Sequence, residues 1–318
     1  MSTHLLLAVR LLAVLSLATT TLSAGTTYKC NSQTASMFHQ DCVTAANQLV
    51  LSLTRDDSLT HIPNDDIMHS YMNCQATLQA TGGEKTIEGP SLLLSFAQIG
   101  ARCQDGTFAT QGGTIDGTLK GVANWKRESS TIKPRSKPDK GSIWAPSRLF
   151  RRNQPDLMTP SQELNKRADM MSAKKGANGD IYRLMVGSSA GVADIAPSSS
   201  KVSSTFVQRS REFLQHNFKR TDASDLVFGN AYPISGSHVS VISLGVKLRG
   251  GQKSWSEFIQ GQKDNGETVQ SLIADGLTMF ATNKYVAAYF IVLNNSGQQV
   301  FDFLIYGYDS VDTPVPSS

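Results

Sequence analysis

Past Cys103 the chain has no cysteine; Cys30, Cys42, Cys74 and Cys103 all lie in the first third of its 318 residues. None of the four forms a CxxC pair, so the usual paired-thiolate zinc pattern is absent. P-loop, HExxH and GxGxxG motifs are absent too, which removes the commonest phosphate, metalloprotease and dinucleotide chemistries. Long apolar runs are confined to the first residues, where Leu5–Val9 and Leu11–Ala18 are broken only by Arg10 and Ser16. That run falls short of the about 20 residues needed to span a bilayer. Followed by the small residues Thr21, Ser23 and Ala24, it has the layout of a secretory signal peptide over residues 1–24. Export predicts a secreted, extracellular product, and an even number of cysteines on that route predicts two disulfides. Three pairings are open.

Basic surplus is missing from most of the chain. Residues 126–176 hold 13 Lys and Arg against 5 Asp and Glu, while residues 25–125 hold 5 against 9 and residues 177–318 hold 11 against 12. The formal net charge of +4 is therefore owed to one stretch. Neither flank carries the cations that neutralising phosphates would require, which argues against a nucleic-acid partner.

The charged stretch is rich in Ser and Pro (Pro134, Pro138, Pro146, Pro155, Pro160) and shows no sustained periodicity. Such a composition buries too little apolar surface to offset the entropy of ordering, so residues 126–176 are expected to be a mobile basic spacer. It carries the dibasic pairs Lys126-Arg127, Arg151-Arg152, Lys166-Arg167 and Lys174-Lys175. Two adjacent cations suit a protease subsite lined by carboxylates, and a mobile segment can enter its cleft extended. By contrast, Lys219-Arg220 follows the apolar positions of a helix, where cations complement the helix dipole.

The flanks read as two folded segments. In residues 25–125, Asp41 is placed to cap a helix carrying Cys42, Ala45, Ala46, Leu49, Val50 and Leu53 at helical spacing. Strict alternation over residues 72–80 predicts a half-buried strand. Pro90 then opens a second helix through Leu92, Leu93, Phe96, Ile99 and Cys103, and Thr107–Thr114 with Gly112-Gly113 reads as strand and turn. In residues 177–318, Ile181–Val186 is a strand, and Phe206, Val207, Ser210, Phe213, Leu214 and Phe218 mark a helix. Ile242, Leu244, Val246 and Leu248 alternate with Ser243, Gly245, Lys247 and Arg249, predicting a strand with one buried and one wet face. Val269–Phe280 is a helix, and Tyr285–Leu293 and Val300–Tyr308 form a hairpin around Asn294-Asn295-Ser296-Gly297. The expected fold is α+β, with two small α/β sandwiches, each an antiparallel sheet with helices on one face, joined by the spacer.

Three polar constellations hold residue types that could form sites. Gly187-Ser188-Ser189-Ala190-Gly191 matches G-x-S-x-G, with His216 and His238 as conceivable bases, but Pro197 and a serine run follow where the nucleophile's helix should begin. His61, Asp65, Asp66 and His69 are metal-ligand types, but Pro63-Asn64 reads as a surface loop. Asn294-Asn295-Ser296 is an N-glycosylation sequon on the hairpin turn. No catalytic residue, metal or cofactor is expected.

The order of signal peptide, Cys-bearing segment with Asp41-Cys42 opening a helix, dibasic spacer and second compact segment resembles fungal killer preprotoxins, notably the Ustilago-type virus-encoded toxins cut into α and β polypeptides. Tyr28–Trp125 also looks loosely like the secreted fungal necrosis-inducing effector domain. The resemblance implies cleavage by a kexin-type protease, whose substrates favour Lys-Arg, and a non-enzymatic antimicrobial action on the wall, membrane or a channel of competing cells. The aromatic content of residues 177–318 marks that half as the active part. Lacking an interchain disulfide, the two products would either associate non-covalently or separate. The alternatives are a plant-directed effector or wall-binding module with an uncut linker, and a small serine hydrolase using Ser189.

Overall fold

A computed structural model describes residues 27–31, 37–55, 59–80, 83–106, 108–116, 121–126, 170–176, 179–191, 195–197, 200–218, 222–235, 238–251, 254–260 and 265–310. The first region runs β1 (Thr27–Cys30), β2 (Met37–Phe38), α1 (His39–Leu53), β3 (Leu59–Ile62), β4 (Ile67–Tyr71), β5 (Cys74–Ala80), β6 (Lys85–Glu88), α2 (Gly89–Arg102), β7 (Ala109–Thr110), β8 (Gly113–Asp116) and β9 (Gly121–Lys126). The second runs β10 (Met170–Lys175), β11 (Ile181–Ala190), α3 (Ser200–Phe218), β12 (Asp225–Ser235), β13 (His238–Leu248), α4 (Trp255–Gln260), α5 (Asn265–Thr282), β14 (Ala287–Leu293) and β15 (Gln299–Asp309). The architecture is a mixed α+β one with two sheet-and-helix regions. A five-stranded sheet in the order β1-β8-β9-β5-β4 belongs to the first region, and a six-stranded sheet in the order β10-β11-β14-β15-β13-β12 to the second. Both have antiparallel ladders throughout.

Local chemistry explains most of the elements. Cys74, Ala76, Leu78 and Ala80 point one row of β5 into the core, as alternation requires. Pro90 sits in the first turn of α2, where a missing N–H costs nothing. Asn294 closes the β14–β15 turn by accepting from Ser296 N and Gln298 N, both at 3.0 Å, and Gly297 supplies a φ of 75°. The disulfides join Cys30 to Cys103 and Cys42 to Cys74. The first ties β1 to the end of α2; the second ties α1 to β5.

Several boundaries differ from expectation. Asp41 does not cap α1; Phe38 occupies that position without a side-chain cap, and Asp41 lies in the first turn, where its carboxylate accepts from the Asn73 backbone. Strands β1 to β4, β6, β9, β10 and β12 were not anticipated. Most are short or weakly apolar (Met-Met-Ser-Ala-Lys-Lys for β10), and their partner strands supply the ladder; β12 is apolar enough (Leu226, Val227, Phe228, Tyr232, Ile234) but lacks strict alternation.

The largest departure concerns β13. Both of its faces are buried. Along β14 and β15 the side chains divide with period two: Tyr289, Ile291, Leu304, Tyr306 and Tyr308 join one core cluster, and Phe290, Val292, Phe301, Phe303 and Ile305 join the other. The second cluster is closed by α3, α4 and α5, with Trp255 stacked on Phe218 at 4.5 Å between ring centres. The first is closed by α1 and α2 of the first region, whose Val43, Ala46, Leu49, Val50, Leu93 and Phe96 lie in the same cluster. Helices α1 and α2 also pack on the five-stranded sheet. The layers therefore run α3–α5, six-stranded sheet, α1–α2, five-stranded sheet, and the two central layers share one core.

Candidate processing sites and the seam between the segments

The dibasic pairs fall differently on this frame. Lys126 is the last residue of β9, in register with Gln75. Arg127, Arg151, Arg152, Lys166 and Arg167 lie outside the described residues, and the described elements resume at Met170. Lys174 and Lys175 lie within β10, opposite Tyr182 and Ile181. Lys174 Nζ is 3.1 Å from Asp275 on α5, and Ser172 donates to the same carboxylate at 2.6 Å. A protease needs the chain extended and unpaired; both residues of this pair lie inside a ladder, whereas Lys126 holds only the terminal rung of β9, so Lys174-Lys175 is the poorer target in the folded protein. Lys219 and Arg220 follow α3 directly and lie outside the described residues.

Helix α1 meets the six-stranded sheet through a row of specific contacts. At its start, His39 Nδ1 is 2.8 Å from the Tyr308 hydroxyl. Midway, Asn47 Nδ2 donates to Ser243 Oγ at 3.0 Å and to Leu304 O at 3.2 Å. At its end, where the last turn has no basic residue of its own, Lys247 Nζ donates to Leu51 O at 3.1 Å and Arg249 Nη2 to Thr54 O at 3.1 Å. Two cations of the sheet thus satisfy carbonyls at the helix C-terminus. Gly229 and Gly245 let the backbones approach. A Cβ on Gly245 would stand 2.7 Å from Asn47 Oδ1 and 3.0 Å from Leu51 Cδ2, and one on Gly229 would collide with Thr44 Oγ1.

Arg249 also anchors a buried polar cluster. Its Nε, the Tyr289 hydroxyl and Gln299 Nε2 all donate to Asp302 Oδ2. Burial pushes the Asp302 carboxyl above its ordinary range, against the pull of Arg249. Burial, with the neighbouring carboxylate, also drives the Tyr289 hydroxyl well up. Next to it, Asp180, Tyr182, Arg249, Phe258 and Gln299 line a cleft of about 110 Å³. Ligand sites usually run to about 300–1,000 Å³, so the cleft suits water or a small ion at most.

The remaining sequence candidates are scattered. Ser189 is exposed within β11, paired with Ala288, and no strand-to-helix elbow opens at it. The His238 ring is held by Ser310 O at 2.9 Å. His61 on β3 lies 3.8 Å from Glu84, His69 is on β4, and Asp65 and Asp66 lie between them. Among the described residues no three His, Cys, Asp or Glu side chains converge on a metal-sized space. Asn294 Nδ2 donates to Gln298 Oε1 at 3.3 Å. Of the aromatic residues that marked the second half as the active part, Tyr289, Phe290, Phe301, Phe303, Tyr306 and Tyr308 are fully buried. They are core. Among the described residues no helix is long and apolar enough to cross a membrane.

Sequence reasoning missed the seam because Ser243, Gly245, Lys247 and Arg249 read as a solvent face. The signal that could have found it was Gly245 in mid-strand, which marks a close backbone approach. No family model, no curated protein and no solved structure matches the chain.

Proposed function

We propose that the chain is a secreted fungal toxin precursor. A kexin-type protease cuts it at Lys126-Arg127 and Lys166-Arg167, and the mature protein inhibits competing cells without enzymatic chemistry, through their wall, membrane or a channel. The observation that carries this reading is the placement of those two pairs. One stands at the last residue of β9 and the other three residues before β10 begins. Cutting at both removes the basic stretch and leaves every described strand and helix whole. The disulfides stay within the first product, consistent with an oxidising secretory route. The Asn294 amide on the hairpin turn is a candidate glycosylation site on the second product.

Denaturing intact-mass spectrometry of secreted material tests the processing. Two chains, one ending near Trp125 to Arg127 and one beginning near Ala168, are expected. A single chain spanning the basic stretch overturns the reading.

A further inference from the structure

The processing reading leaves open whether the products part. We infer that they do not: the second product carries a built receptor for helix α1 of the first, and the mature protein is an obligate non-covalent heterodimer. This rests on the cleavage proposed above, but the receptor exists in the uncut chain.

Three independent features define it. The first is apolar: the sheet face beneath α1 and α2 presents Val239, Val241, Tyr289, Ile291, Leu304, Tyr306 and Tyr308, each fully buried. Stripped of the first product, these side chains would form one exposed apolar face, of the contiguous kind that monomers rarely leave open beyond a few hundred Å² and that marks an interaction site. The second is polar and keyed by position. Tyr308, Ser243, Lys247 and Arg249 meet His39, Asn47, Leu51 O and Thr54 O in order along the helix, so a shift by one turn would leave buried groups without partners. The third is steric. The glycines at 229 and 245 sit under Thr44, Asn47 and Leu51, and any side chain there would fill the helix's seat. Of the two outcomes open from the sequence, association and separation, this face favours association.

The full chain carrying a site-specific protease sequence in place of residues 145–154 would be expressed, oxidised and cut. Size-exclusion chromatography and hydrogen exchange then follow without denaturant. Both fragments are expected in one peak, with α1 amides as protected as in the uncut chain. Separate peaks, precipitation of either fragment, or loss of α1 protection overturns the inference. Gly245→Val should accelerate exchange of labelled first fragment into the cut complex by about tenfold or more, the scale of an overpacked contact. Lys247→Met, which keeps the stem and removes the charge, gives a second reading if Gly245→Val fails to fold. A several-fold faster exchange is expected, and an unchanged rate counts against the keyed seam. Because the cut is engineered, a secreted chain that proves uncut in nature sinks the precursor reading alone.

Discussion

Single residues at the seam carry charges and protons that make the account measurable. Arg249 is 8% and Asp302 0% exposed, and removing one member of such a pair leaves the other buried and uncompensated. Arg249→Met should cost about 3–5 kcal/mol in urea unfolding, while Arg249→Met with Asp302→Leu should cost clearly less than the single change. Equal losses would show that the ion pair itself, not the stranded carboxylate, matters. His39 is fully buried, and burial holds its pKa down to about 4 from 6.5, despite the Ala109 backbone beside it. Between those values the unfolded chain binds the proton more readily. The stability is therefore full above about pH 6.5 and is lost as the pH falls toward 4, by about 3 kcal/mol at 1.36 kcal/mol per unit. Asp41 works the other way. Burial raises it from 3.8 to about 6, so its contribution is present below 3.8 and lost as the pH rises to 6, and water at this half-buried site weakens it. His39→Gln keeps a polar partner for Tyr308 without titrating, so the decline in stability from pH 6.5 to 4 should shrink or reverse. An unchanged slope would contradict the assignment.

At the scale of elements, legibility followed the origin of each pattern. Strand β5 was readable because its alternation faces the core of its own region, helix α2 because its apolar residues keep helical spacing although it is buried between both sheets, and the β14–β15 hairpin because Asn294 and Gly297 fix its turn chemistry. The wet face assigned to β13 was wrong because polarity in a strand marks either water or a polar partner, and here the partner is Asn47 and the carbonyls of α1. A helix nearly two hundred residues earlier leaves no trace in the strand it covers beyond the mid-strand Gly245. Strand β10 was invisible for a related reason, since its ladder to β11 and the Lys174–Asp275 contact override a sequence that reads as spacer. The Cys42–Cys74 bridge encloses a loop of 32 residues by sequence separation. It holds α1 against β5 while α1 docks on the second sheet. Replacing both cysteines with alanine should lower stability by about 3 kcal/mol and loosen the seam as well, visible as faster amide exchange along α1. A loss confined to β4 and β5 would show that the seam does not depend on the bridge.

For the whole molecule, the two segments that composition separates are layers of one packed body. The sequence showed where the chain changes character, from cysteine-bearing to basic to cysteine-free, yet composition says nothing about which surfaces meet. Processing choices follow from the layers. Lys174→Ala with Lys175→Ala should leave the secreted fragments unchanged, because that pair is held in β10, whereas Lys166→Ala with Arg167→Ala should move or abolish the start of the second fragment. A shift with the former would place cleavage inside the sheet. The most direct test of the central claim is native mass spectrometry of the secreted material, followed by the same sample under denaturing conditions. The account predicts one native species that resolves on denaturation into a disulfide-bonded first chain and a cysteine-free second chain, together lacking the basic stretch. One continuous chain, or two chains already separate in the native spectrum, would contradict it.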